Sequence, residues 1–309
     1  QVEVLLGLFV SMSLCRRVGL SAMRALYTFV EDNYRQPTHL WATAAYEAQI
    51  MSDILPLLVA DLGAPWSPTV IATDASPSGL GVCSKDFPVE EVKELGAWSE
   101  RWRYRRLPPT EWAPRARAMA ELDVLSDPRT VRPIATPQTT WKEREGFPEA
   151  AGYMGPHDKW SVLGARRLRY AESISVKEGR GVLLGLKTVS KDPRCVNTKQ
   201  VFIVDNFGVS LALSKGRAAS FGLLQVCRRI CAYSLALNIQ CHFRWVPSEM
   251  NPADAPSRRF EGLSAQVPSY ECSTGSSAGI QKDACRASCP PRCQPHARWR
   301  ESLQTANLV

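Results

Sequence analysis

The stretch that most constrains this chain is Gln200-Val-Phe-Ile-Val204, which runs straight into Asp205. Side chains alternate between the two faces of a sheet, so an apolar run without alternation describes a strand covered on both sides. Such a strand needs a layer above it and another below. The flanking sequence offers helices for the purpose. Thr69 to Asp74 is a short β-branched run, Ser76-Pro-Ser-Gly79 is a turn signal, and Leu80 to Ser84 reads as a second strand, so the three make a hairpin. Trp160 to Tyr170 reads as a further strand. Val176, Gly179, Val182, Leu183 and Leu186 then fall on one face of a helix over Ser175 to Lys187. Leu224, Cys227, Cys231 and Leu235 mark a helix from Phe221 to Leu237, and Ile239 to Val246 returns to strand. The order ββ, insertion, βαβαβ predicts a mixed α/β domain, with a five-stranded mixed sheet flanked by helices.

In front of this domain the apolar positions recur at three- and four-residue spacing: Leu20, Met23, Leu26, Tyr27 and Val30, then Ile50, Ile54, Leu57 and Leu58. Helices are expected over 20–34 and 40–62, separated by Pro37-Thr38 and ended at Gly63-Ala-Pro65. The expected organisation is a helical connector over 1–65, the α/β domain over 66–260 with an insertion at about 86–160, and a tail over 261–309. The insertion is rich in proline and long for a loop within one domain. The tail, rich in Ser, Gly, Pro, Cys and Arg, reads as disordered. Apolar residues make up 45% of the 309 and charged ones 22%, which excludes a wholly disordered chain.

The 10 cysteines are too sparse for a disulfide scaffold and read mainly as buried thiols of a reducing compartment. No apolar run approaches the roughly 20 residues of a membrane span. The run Leu5 to Val10 has no basic residue ahead of it, so no signal peptide and no membrane partner are expected, and the location reads as intracellular. A chain that begins with Gln1 reads as a piece of a longer open reading frame. The formal charge of +8 favours a polyanionic partner.

Four carboxylates stand at positions that a sheet can bring together. Asp74 ends the first strand, Glu178 lies near the start of a helix, Asp205 ends the buried strand, and Asp254 follows the last strand by a short Pro-bounded turn. Any one alone is equally readable as a turn, cap or solvated helix residue. Convergence of several costs free energy unless a cation compensates it, and hard divalent ions with oxygen ligands are the natural compensation.

Thr73-Asp74-Ala75-Ser76, Glu178 in a helix, Val204-Asp205-Asn206, and Trp245-Val-Pro-Ser-Glu-Met-Asn-Pro-Ala-Asp254-Ala-Pro-Ser-Arg258 resemble, in order, the blocks of the ribonuclease H domain of retroelement reverse transcriptases. The flavour is similar to that of DIRS-like retrotransposons and hepadnavirus polymerases. The resemblance spans roughly 20–85 and 160–260. It implies a ribonuclease H-like sheet, hydrolysis of the RNA strand of RNA–DNA hybrids, and a reverse transcriptase domain upstream in cis. The polymerase itself is not expected here, since the chain has no Tyr-x-Asp-Asp turn. The resemblance also implies two Mg²⁺ ions, with Mn²⁺ as an alternative. Asp74 would bridge them, Glu178 and Asp205 would complete one site, and Asp254 the other. The histidine that many members carry near the last acid is missing, so Asn251 or Glu249 is expected in its place.

For the hybrid itself, Ser76 and Asn206 are the candidates to read 2′-hydroxyls. Lys215, Arg217, Arg228 and Arg229 are the candidates for a phosphate-binding strip, or else a solvated face. In Trp98-Ser-Glu-Arg-Trp-Arg-Tyr-Arg-Arg106 an extended chain would put the aromatics on one face and the arginines on the other. That describes either a stacking surface or an edge strand with exposed arginines, and the edge strand is the slightly preferred reading. Cys285, Cys289, Cys293 and His296 carry a weak zinc pattern. The long gap between Asp74 and Glu178, together with the missing histidine, motivates a rival reading: an inactive relic, or a tethering domain that binds nucleic acid without cutting it. An integrase or tyrosine recombinase is disfavoured, for want of a second Arg/His/Tyr constellation.

Overall fold

The computed structural model describes residues 1–106, 141–169 and 171–262. The middle of the insertion, most of the tail and the Cys285, Cys289, Cys293 and His296 group lie outside the described residues. Seven strands occur among those described. They are β1 (Thr69–Ala75), β2 (Gly79–Asp86), β3 (Tyr104–Arg106), β4 (Trp141–Glu143), β5 (Ser161–Arg167), β6 (Lys199–Val204) and β7 (Gln240–Trp245). Five of them form a mixed sheet in the order β5-β2-β1-β6-β7, and β3 pairs with β4 in a small ribbon of its own. β1 is antiparallel to β2 and parallel to β6; β2–β5 is antiparallel and β6–β7 parallel. This is the α/β class and the five-stranded mixed sheet that the sequence pattern predicts.

The apolar run behaves as its composition requires. Phe202 and Val204 pack with Ile71 against α6 (Ile174–Val189) and α8 (Phe221–Ala236). Val201 and Ile203 join Val70 and Ala72 on the opposite face. Phe202, Ile203 and Val204 are fully buried, and each such side chain contributes roughly 1.5–3 kcal/mol.

What covers the second face comes from the segment that looks least ordered in the sequence. α4 (Val89–Ala97) and α5 (Ala151–Met154) bring Val92, Leu95, Ala150 and Met154 onto it, with Trp160 beside them. The insertion is therefore partly a structural layer. It is pinned by Arg244 of β7, whose buried guanidinium donates to Glu100, to the Leu95 carbonyl and to the Pro148 carbonyl. α5 spans only four residues and α4 buries only Val92 and Leu95 among its apolar side chains, too few to establish a period.

The arginine-aromatic segment departs from both expected alternatives. Glu100–Trp102 is a single 3₁₀ turn and only Tyr104–Arg106 is extended. Arg103 is buried among Glu100, Glu143 and Glu149, with its guanidinium over the rings of Phe147 and Trp245. Three carboxylates drew it inward, whereas Trp102 and Tyr104 stay exposed.

The N-terminal helices α1 (Val2–Ser13), α2 (Arg24–Asn33) and α3 (Ala42–Ile54) enclose a second small core, to which α8 contributes Cys231 and Leu235. They belong to the same compact unit as the sheet. α3 ends eight residues before its expected limit, because Pro56 removes a donor and disfavours helix just before it. Arg16 seals the joint, donating to Asn238 at 2.6 Å and to the carbonyls of Ser234 and Ile239 at the C-terminal end of α8. Another helix absent from the sequence pattern is α7 (Phe207–Lys215), capped by the Asn206 side chain and closed by Gly216 in the left-handed region. Asp254–Arg258 forms a final short helix, α9.

Candidate metal centre

Asp74 reaches the site from the end of β1, Asp205 from the residue after β6, and Glu178 from the second turn of α6. Because β1 and β6 are adjacent and parallel, both aspartates leave the sheet at the same edge. α6 can lie close above β1 because it turns glycines toward it. A Cβ on Gly185 would stand 3.1 Å from both Ile71 and Thr73, and one on Gly181 would stand 3.3 Å from the Asp74 carbonyl. Lys177 fastens the start of the helix to the Pro77 carbonyl at 2.8 Å. One carboxylate oxygen from each of Asp74, Glu178 and Asp205 then lies within 4.8 Å of the others.

Asp74 and Glu178 are each 4% exposed. Burial, assisted by neighbouring negative charge, pushes the Asp74 carboxyl up to about 7 and that of Glu178 up to about 9. Glu178 Oε2 is buried without a hydrogen-bond partner. Three hard oxygen donors, two of them destabilised as anions and one orphaned, fit a divalent cation.

Asp205 is positioned with care. Its carboxylate accepts from the Ser248 hydroxyl at 2.8 Å, and its backbone carbonyl accepts the Trp245 indole N–H at 2.7 Å. Ser248 and Trp245 both stand in the block that carries the resemblance, yet spacing alone assigned them no role.

Asp254 lines the same open pocket, of about 290 Å³, as the other three acids. Its carboxylate is outside the 4.8 Å group and accepts the Arg258 Nε–H at 2.9 and 3.0 Å. Asn251 is one of the two residues expected in the place of the missing histidine. It is buried, donates to the Thr73 carbonyl at 3.1 Å and accepts the Ala253 amide, so it straps the loop before Asp254 to β1. Glu249 is exposed on the neighbouring 3₁₀ turn. His242 sits on the far side of the sheet against the Gly96 carbonyl and Trp66, where burial lowers it to about 4.

The expected substrate contacts divide. Ser76 is buried, its hydroxyl donating to the Ser257 carbonyl at 2.8 Å and accepting the Gly79 amide, so it serves the hairpin turn rather than a 2′-hydroxyl. Asn206 lines the pocket while its side-chain oxygen caps α7 through the Val209 amide. Arg228 is not part of a phosphate strip, since it is held by Glu47 at 2.5 Å and by the Ser21 carbonyl at 3.0 Å. Lys215, Arg217 and Arg229 are exposed. Among the described residues no helix is long and apolar enough to cross a membrane. Comparison of the chain with protein-family models, with curated proteins and with solved structures returns no match.

Proposed function

We propose that this chain is the ribonuclease H-type portion of a retroelement reverse transcriptase, hydrolysing the RNA strand of RNA–DNA hybrids with divalent metal and working in cis with an upstream polymerase inside the cell. The observation that carries the reading is the gathering of Asp74, Glu178 and Asp205 within 4.8 Å, on the elements where the resemblance puts its acidic blocks. The mixed five-stranded sheet agrees with the fold that the resemblance implies. All-oxygen donors suit Mg²⁺, with Mn²⁺ as a substitute. A bound divalent pair supplies the activation of water and the stabilisation of the leaving oxygen.

The chain's own residues do the rest. Glu178 would release its proton in order to hold a cation, while Ser248 and Trp245 hold Asp205 in place and Asn251 holds the loop that presents Asp254. The pocket has room for a phosphodiester but not for a duplex, which must lie across its mouth.

One observation favours a binding domain without turnover: the carboxylate of Asp254 is already satisfied by Arg258. A single assay separates the two readings. Cleavage of an end-labelled hybrid in millimolar Mg²⁺ by the wild type, abolished in Asp205→Asn, supports the nuclease. Equal activity in the two proteins, or none in either, overturns it.

A further inference from the structure

The pocket accounts for the reacting phosphate and leaves the rest of a long polyanion without a seat. The chain carries no Asp or Glu between Glu3 and Glu31, and none between Asp205 and Glu249. Two parts of these stretches meet. Gly216, with φ +70°, packs so tightly on the N-terminal unit that a Cβ there would lie 1.9 Å from the Arg17 carbonyl. α7 also packs on the Glu100–Trp102 turn. Arg17, Arg101 and Arg217, drawn from the N-terminal unit, the insertion and the end of α7, are consequently neighbours. Burial first, then the charges of Arg101 and Arg217, lower the proton affinity of Arg17. Its Nε is buried without a partner. None of the three pairs with a carboxylate among the described residues, while nearby Arg103 and Arg228 do.

Like charges brought together without counter-charge cost free energy that a bound anion returns. Between this cluster and the acids lies a row of rings. Trp245 meets Phe207 at 5.9 Å and Phe207 meets Tyr104 at 6.0 Å, with Tyr104 and Trp102 exposed. α7 itself, nine residues long, spans about 13 Å, or about four nucleotide steps of 3.4 Å.

We propose that Arg17, Arg101 and Arg217 form a phosphate clamp that grips the nucleic acid about four nucleotides from the acidic cluster, with α7 as the spacer and the aromatic row beneath the intervening strand. The proposal rests on the nuclease reading for the position of the cut but not for binding. Neither the helical unit nor the insertion is dispensable on this view, since each contributes one arginine.

The test uses the full chain and a fluorescent RNA–DNA hybrid of about 18 base pairs, with Ca²⁺ replacing Mg²⁺ for anisotropy and Mg²⁺ restored for cleavage. The R101Q/R217Q pair is compared with K93Q/R194Q, which removes two exposed charges elsewhere. The clamp predicts at least tenfold weaker binding for R101Q/R217Q near physiological salt. The slope of log affinity against log salt should fall by about 1.8, at about 0.9 per phosphate contact. KM should rise with kcat unchanged, and K93Q/R194Q should leave the slope alone. An unchanged slope in R101Q/R217Q, or an equal loss in K93Q/R194Q, overturns the clamp. Wild type that binds through the clamp but never cleaves keeps the clamp and overturns the nuclease. Wild type that cleaves with R101Q/R217Q unaffected does the reverse, and wild type that binds no hybrid overturns both.

Discussion

Glu100 Oε1 lies 2.9 Å from Arg244 Nε, with both side chains at most 1% exposed. This ion pair joins the insertion to β7, next to the residue after which the Trp245 block begins. Arg103 shares the same carboxylate from the other side at 2.8 Å. Glu100→Ala strands the buried Arg244 guanidinium and is expected to cost about 3–5 kcal/mol, whereas Arg244→Ala leaves Glu100 paired with Arg103 and should cost less. The double variant should cost less than the sum by at least about 1 kcal/mol. Urea unfolding of the three variants measures both quantities, and strict additivity would show that the pair is not coupled.

The buried acids make stability depend on pH in an unusual direction. In the unfolded chain Asp74 and Glu178 titrate at ordinary values of 3.8 and 4.5, but folded they hold their protons up to about 7 and about 9. Between those limits the folded state binds more protons, so stability falls as pH rises. The favourable contribution is complete below about pH 4. It is lost by about pH 7 for Asp74 and by about pH 9 for Glu178. Thermal melts in chelator from about pH 5 to 9 should show a falling Tm, and millimolar Mg²⁺ should raise Tm most at the alkaline end, where ligands need not shed protons. Glu178→Gln removes the cost of protonating that group on folding. In chelator at pH 8 it should melt above the wild type, respond less to Mg²⁺, and lose at least about a hundredfold in hybrid cleavage. A lower Tm for Glu178→Gln under those conditions would refute the electrostatic account.

Ser248 lines the pocket, donates to Asp205 Oδ2 and is itself exposed. Ser248→Ala should leave folding within about 0.5 kcal/mol of wild type. Loss of a group that orients a ligand weakens metal affinity by about 10–100-fold. Titration of the Tm shift with Mg²⁺ reads the affinity directly. If Asp205 is held by the Trp245 indole alone, the titration curve will not move.

Gly81 lies beneath the segment that carries Asp254. A Cβ there would stand 2.3 Å from the Ala253 carbonyl and 2.7 Å from the Ser257 amide nitrogen. These are backbone atoms and cannot swing aside as a flexible side chain would. Gly81→Ala should therefore displace α9 from β2 and cost at least about 1–3 kcal/mol. Amide exchange should quicken over 253–258 before it quickens in β6. Uniform loss of protection would mean that α9 is not a separable lid on the hairpin.

The strand–hairpin pattern was legible wherever burial imposes a period. Thr69 to Ala75, Gly79 to Asp86 and Lys199 to Val204 appear within a residue or two of the limits their composition suggests, since each is packed from both sides. α7 was illegible because its small and apolar residues alternate without a clean stripe, and its signals are the Asn206 cap and the Gly216 stop. α4 and α5 offered too few buried apolar positions to establish a period. Of the site, the residue types and their order could be read in advance. The pairing of Asp254 with Arg258 and the capture of Arg228 by Glu47 could not, since both depend on distances between side chains.

Residue order alone implied that a doubly covered strand would end in Asp205, that a hairpin strand would end in Asp74, and that helices would have to cover them. These follow from alternation and burial, which are local. That the edge where both strands end also receives Glu178, close enough for the three carboxylates to hold a cation, came from the packing of α6 on the sheet. Packing also decided that three arginines from distant segments would meet around the end of α7 without a carboxylate partner among the described residues. Like charges gather against their own repulsion only when the packing of the whole chain holds them there.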